Sequence, residues 1–110
     1  MIGTSGWDVI RLATPAEQSL GVKQFPSPLP LNYLLFFTDV VPGSVVNMRG
    51  VQEPLQYFFL DHLCRRVGGG VLNPEYGASM VPYNASHLVE ISAQAQPPQN
   101  FDFLMEYFGL

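Results

Sequence analysis

Residues 63–72 (LCRRVGGGVL) combine the residue types that are most able to do chemistry in this chain. They contain its only cysteine, Cys64, two of its five basic residues, Arg65 and Arg66, and three consecutive glycines. Such a stretch could bind a phosphate through backbone amides, or activate a thiolate beside positive charges. It could also be the end of a helix. The elements that surround the glycines decide between these alternatives.

The residues before the glycines favour the helix end. Phosphate-binding glycine loops follow a strand and open a helix, whereas residues 54–67 show apolar residues at three- and four-residue spacing, which predicts a helix here. Arg65 and Arg66 would then complement the carbonyl groups of its last turn, and Gly68 would be its left-handed cap. The remaining alternative is an anion or partner contact made by the exposed arginines. The predicted apolar face consists of Leu55, Phe58, Phe59, His62, Leu63 and Val67.

Cys64 lacks the neighbours of a nucleophile. A catalytic thiol needs a base within hydrogen-bond reach and a lowered pKa. His62 would lie about 200° away around the predicted helix, and His87 could approach only through the tertiary fold. We therefore predict that Cys64 is a small buried thiol.

Other catalytic and metal patterns are absent from the sequence. His62, Cys64 and His87 do not have the spacing of metal ligands. Asp102 and Glu106 lie four residues apart, and such neighbours on an exposed helix face are usually solvated. We predict no catalytic, metal-binding or cofactor-binding residue, no small-molecule substrate and no enzyme activity.

The composition narrows the class of partner. Charged residues make up 13% of the chain, against about 25% in typical soluble domains. The net charge of −4 argues against nucleic acid, which requires many basic contacts to phosphate. No run is long enough for a membrane helix, and no secretory signal opens the chain. We expect an intracellular soluble protein, or one incorporated in a virion or other particle.

Local patterns predict the first half of the fold. Residues 1–12 read as an edge strand or an N-terminal arm, and residues 14–17 (TPAE) form a capping box for a short helix that ends at Gly21. Residues 25–30 carry three prolines and should be extended. Residues 32–48 read as a hairpin, with a buried strand, a type II turn at Pro42–Gly43 and a return strand.

The second half adds strands and a final helix. Residues 80–83 predict a short strand interrupted by Pro82. Residues 89–96 alternate, which predicts a strand with one buried face and one wet face that carries Glu90. Residues 100–109 predict a docking helix capped by Asn100. Its main apolar stripe is Phe101, Leu104, Met105 and Phe108, and its flank is Phe103 and Tyr107.

These elements predict a single α+β domain over residues 1–110, with a small mixed or antiparallel sheet (two hairpins) covered by two or three short helices. Low charge and surplus aromatic residues predict a non-enzymatic assembly subunit of a larger homo- or hetero-oligomer, such as a capsid cement, connector or tail component of a virion. Its expected partners are protein subunits. The predicted interface residues are Phe103, Tyr107, Phe108, Tyr57, Arg65 and Arg66.

Two alternatives from other classes stay open. The first is a small α+β enzyme or ligand-binding domain with an apolar pocket, in which His62, His87 or Asp39 would be the polar anchors. The second is a regulatory adaptor that presents its last helix to a groove of a partner.

Overall fold

The computed structural model describes the backbone of residues 2–4 and 6–109, with side chains from residue 6 onward. This part of the chain forms an α+β fold with eight strands and two short α-helices. The elements are β1 (Ile2–Thr4), β2 (Trp7–Leu12), α1 (Pro15–Leu20), a 3-10 helix (Gly21–Gln24), β3 (Tyr33–Phe37), β4 (Val45–Asn47), β5 (Leu55–Leu60), β6 (Arg66–Leu72), β7 (Ala78–Met80), β8 (His87–Ser92) and α2 (Asp102–Phe108).

Six of the described strands form one sheet in the order β1-β2-β3-β8-β5-β6. Strands β2 and β3 run parallel and the other neighbours are antiparallel, so the sheet is mixed. Strands β4 and β7 pair only with each other and form a separate two-stranded ribbon. The predicted α+β class, with a small mixed sheet and short helices, is confirmed.

The sheet is buried on both faces. The face that carries Leu35 and Leu88 packs under the β4–β7 ribbon and the 3-10 helix, and we call it the ribbon face. The opposite face carries Phe36 and Val89 and packs against α2, and we call it the helix face. Successive residues of a strand point to opposite faces, so each central strand contributes to two cores.

The capping box starts α1 as predicted. The Thr14 hydroxyl accepts a hydrogen bond from the Glu17 N–H (3.1 Å), and the Glu17 carboxylate accepts one from the Thr14 N–H (2.9 Å). Gly21 ends the helix with φ = +50°. Among the described residues no helix has the length and apolar character to cross a membrane.

The predicted helix over residues 54–67 is wrong, because this segment forms the antiparallel hairpin β5–β6. Strand β5 lies between β8 and β6, so its side chains pack against both cores and its sequence is apolar on both faces. Phe58 and Phe59 therefore lie on opposite faces of a strand, although their spacing from Leu55 imitates a helical stripe. Gly68 is a strand residue opposite Phe59 and caps no helix.

The predicted hairpin over residues 32–48 is also wrong in its pairing. The turn is of type II as predicted, since the Ser44 N–H donates to the Val41 carbonyl (3.1 Å) and Gly43 has φ = +86°. Strand β3, however, has β2 on one side and β8 on the other, so it offers no free edge to β4. Val45 instead pairs with Met80 of β7.

The remaining predicted segments lie beside the sheet. Residues 7–12 are strand β2 within the sheet, and β1 at its edge pairs with them. Residues 25–30 form neither helix nor strand, and Leu29 within them is buried. The Leu29 N–H donates to the Glu53 carboxylate (2.8 Å), which ties the proline-rich segment to the chain just before β5.

Candidate functional site

A cavity of about 440 Å³ lies between the ribbon face of the sheet and the elements that cover it. Strands β3, β5 and β8 contribute its floor, and α1, the 3-10 helix and the ribbon contribute its walls. Most of the side chains that line the cavity are apolar. They include Val22, Phe37, Met48, Leu55, Val81 and Leu88.

Glu90 is the buried acid of this cavity. It lies in the middle of β8, with Leu35 of β3 and Tyr57 of β5 as its register partners, and its side chain is only 5% exposed. No described residue gives its carboxyl group a hydrogen bond or an ion pair. Burial alone raises the pKa of Glu90 to about 7. A carboxyl group in this state can release or accept a proton near neutral pH.

The predicted wet face of β8 is therefore wrong, since Glu90 and Ser92 are both buried. The alternation of residues 89–96 is genuine, but alternation shows only that two faces differ in polarity. It does not show that the polar face meets water. In this fold the ribbon, built from segments distant in sequence, covers that face and turns Glu90 into a cavity residue.

Lys23, the chain's single lysine, is the other charged residue that lines the cavity in the described part of the chain. It follows α1 in the 3-10 helix, and its side chain is exposed. The cavity thus combines apolar walls, a carboxyl group on the sheet and an ammonium group on the solvent side.

The predicted polar anchors of an apolar pocket do not line this cavity. His87 lies on the helix face, where its Nδ1 accepts a hydrogen bond from the Asp39 N–H (3.2 Å). Desolvation lowers the pKa of His87, so the buried imidazole favours its neutral form. His62 is exposed in the β5–β6 turn. The single acid between Val89 and Ile91 is the sequence signal that marks Glu90, the acid that does line the cavity.

Cys64 is a buried thiol, as predicted. Desolvation, together with the negative charges of Asp61 and Asp102, raises the pKa of Cys64 to about 11. The thiol is therefore protonated at neutral pH and is a poor nucleophile. Among the residues with described side chains, no group of three or more His, Cys, Asp or Glu could hold a metal ion.

Three of the predicted interface residues lie on the β5–β6 hairpin. The Arg65 Nε is 3.0 Å from the Asp61 Oδ2, so the pair spaced four residues apart closes a turn instead of a helix. The Arg66 guanidinium lies 4.9 Å from the centre of the Phe58 ring. The Tyr57 ring packs edge-on against Phe59 at 5.4 Å on the ribbon face.

The other three lie on α2. The Phe108 ring is 5.4 Å from Phe36, and the Phe103 ring is 6.4 Å from Phe101, so both aromatic residues pack partly against the helix-face core. Tyr107 is 47% exposed. Of the two flank residues, Tyr107 is thus the one that lies mainly at the surface.

Strand β6 is an outer edge of the sheet. It pairs with β5 on one side, and among the described strands none pairs with its other side. After Arg66 it contains neither a charged residue nor a proline, and its three glycines lead to Val71, which is 58% exposed. Natural sheets usually protect such an edge with charge, proline or a covering loop.

The chain is similar to the crystal structure of a protein of unknown function from Novosphingobium aromaticivorans DSM 12444, with a TM-score of 0.67 and 19% sequence identity. The match covers 94% of this chain and 69% of that chain. The sequence matches no protein-family model and no curated protein. At this identity the likeness shows a shared fold and says nothing about activity.

Proposed function

We propose that this protein is a non-enzymatic assembly subunit that pairs with a second copy of itself along β6. The observation that carries the proposal is the uncharged, proline-free outer edge of β6 from residue 67 onward. An open edge presents a row of backbone donors and acceptors, which another strand can satisfy. The low charge of the chain, 13% of its residues, is compatible with a surface that is partly covered in an oligomer.

The sequence of β6 suits self-pairing. In an antiparallel pair centred on Gly69, the backbone of Arg66 of each copy would lie opposite Leu72 of the other, while each Arg66 guanidinium lies over the Phe58 ring and beside Gly69. Isologous contacts of this kind generate closed dimers. Tyr57, Arg65 and Arg66 would lie at or beside this contact, as expected from the sequence. A densely packed particle such as a virion is the setting that composition and size favour.

The state of the chemical side chains supports a non-enzymatic role. Cys64 is held in the thiol form, and His87 lies on the helix face of the sheet. Glu90 lies on the opposite face, in the cavity. The sheet thus separates the Glu90 carboxyl group from the His87 imidazole. The two groups cannot act together on one bound substrate.

Sedimentation velocity tests the proposal. The unmodified protein should sediment as a dimer or larger species at tens of micromolar. Val71→Lys adds a charge at the β6 edge and should give monomers. Val45→Lys makes the same exchange at a similarly exposed valine of the ribbon, 57% against 58%, and should leave the oligomer intact. An unmodified protein that is monomeric, or a Val71→Lys variant that still associates, would contradict pairing through β6.

A second candidate function is a ligand-binding domain, and the cavity with Glu90 is the observation that favours it. Apolar cavities with a few polar groups are the usual form of small-molecule sites. Thermal melting with and without a panel of small apolar compounds tests this function, because a ligand that binds the folded state raises the Tm.

A further inference from the structure

We propose that the cavity above β8 binds a small organic monoamine, whose ammonium group pairs with the Glu90 carboxylate while its hydrocarbon part contacts the apolar walls. This inference deepens the ligand-binding function and rests on it. The ligand class follows from the polar group that the fold buries and from the groups around it.

Glu90 lacks a partner where a partner is most needed. Its carboxyl group lies at the centre of the sheet, and the described residues offer it no hydrogen-bond donor and no cation. A buried carboxylate without a partner is costly, and an opposite charge within about 4–6 Å favours the ionised form. A cation that enters the cavity would supply the missing interaction. A neutral ligand would supply at most a hydrogen bond, and an anionic one would be repelled.

The walls select an organic cation over a hydrated metal ion. Phe37, Met48 and Leu88 give the cavity apolar surface, which favours a hydrocarbon group. No second carboxylate lines the cavity in the described residues, whereas Ca²⁺ and Mg²⁺ prefer several oxygen ligands. The volume of about 440 Å³ falls within the range of about 300–1,000 Å³ that is usual for ligand pockets.

Lys23 restricts the ligand to one positive charge. Its ammonium group lies on an exposed side chain at the cavity wall, so it is well solvated and does not neutralise Glu90. A second ammonium group on a bound diamine would approach this lysine and be repelled. The site therefore favours a monoamine over a diamine of similar length.

The proposed pairing predicts a pH dependence of binding. The ammonium group binds the ionised carboxyl, so affinity should rise as the pH increases through the pKa of Glu90. Lys23 is the charged group that faces the cavity from the 3-10 helix, and Tyr57 is the ionisable register partner on β5.

Calorimetric titration at pH 8 with cyclohexylamine, and with cyclohexanol as a neutral ligand of the same shape, tests the proposal. The unmodified protein should bind the amine at least about tenfold more tightly than the alcohol. Glu90→Gln should bind both compounds with similar affinity. Glu106→Gln on the exposed surface of α2 is the matched control, since it makes the same exchange outside the cavity and should retain the preference for the amine.

The outcomes separate the ligand class from the function. If cyclohexanol binds as tightly as cyclohexylamine, or if Glu90→Gln keeps the preference for the amine, the amine inference is overturned while a ligand-binding function stands. If neither compound binds and no apolar ligand raises the Tm, both fail. Circular dichroism of each variant establishes that a loss of binding is not a loss of folding.

A second test on the folded protein is the carboxyl ¹³C shift of Glu90, which cyclohexylamine should move toward the ionised form at pH 6.5.

Discussion

The Gly69 α-carbon faces the backbone carbonyl oxygen of Tyr57 across the β5–β6 hairpin, so closely that no side chain fits between them. A Cβ at Gly69 would overlap that oxygen, and the residue has φ = +153°. The neighbouring glycines differ. At Gly68 an added Cβ would make ordinary contacts of 3.5 Å with Phe59 and 3.6 Å with Pro82. The three glycines therefore have unequal roles in the strand.

Gly69→Ala should lower the free energy of unfolding by about 2 kcal/mol or more, since the new methyl group meets rigid backbone at a positive φ. Gly68→Ala should change it by less than about 1 kcal/mol, and the two variants form a matched pair. Urea denaturation followed by circular dichroism measures both. Equal effects of the two substitutions would contradict the described register of β5 and β6.

Elements fixed by local chemistry could be predicted from the sequence. The capping box of Thr14 and Glu17 and the type II turn at Gly43 each depend on residues within four positions of one another, and both formed as predicted. The β5–β6 hairpin could not be recognised in this way. The Phe59 ring lies beside Gly68 and the Tyr57 ring beside Gly70, and these cross-strand partners cannot be identified from the local sequence.

The cavity around Glu90 could not be predicted from the sequence, because it depends on contacts between segments that are distant in the chain. Alternation over residues 89–96 marked a strand, and residues 89–92 of it lie in β8 while residues 93–96 do not. The surroundings of Glu90 are set by β3, β5 and the ribbon. The ribbon forms only when β4 pairs with β7. A sequence pattern records the polarity of each face, and the pairing of remote strands decides what covers it.

Asp61→Ala should destabilise the protein by about 1–2 kcal/mol at pH 7, because Asp61 accepts hydrogen bonds from the backbone N–H groups of Leu63 and Arg65 (both 2.9 Å). Arg65→Ala should cost less than about 0.5 kcal/mol, since its side chain is 66% exposed. Thermal or urea denaturation compares the two.

The pH dependence of Asp61 provides a control. Desolvation opposes ionisation, but the N–H donors of Arg65 and Leu63 and the Arg65 guanidinium outweigh it and lower the pKa of Asp61 from 3.8. Its contribution should therefore be present above pH 4 and be lost as the pH falls through the lowered pKa. A difference between Asp61→Ala and the unmodified protein that stays constant down to pH 2 would contradict this account.

Leu104→Ala and Tyr107→Ala should separate the two roles of α2. Leu104 is fully buried against the helix-face core, so its truncation should lower the free energy of unfolding by about 2–4 kcal/mol. Tyr107 is 47% exposed, and its truncation should cost less than about 1 kcal/mol. If Tyr107 also contacts a neighbouring subunit, as the sequence predicts, sedimentation should show weaker association for Tyr107→Ala at unchanged Tm. Unchanged association would exclude Tyr107 from the interface.

Glu90→Gln should stabilise the protein at neutral pH, with an effect that disappears in acid. The pKa of Glu90 is raised from 4.5 to about 7 by burial, so the folded state holds a proton that the unfolded state has already released. The cost of this group is therefore absent below the unfolded pKa, grows as the pH rises between the two values and is constant above about pH 7. The interval between the two pKa values corresponds to about 3 kcal/mol.

Urea denaturation of both proteins from pH 4 to 8 measures the difference, with Glu106→Gln on the exposed surface of α2 as the control. A gain in stability that is equal at pH 4 and pH 8 would show that folding does not raise the pKa of Glu90.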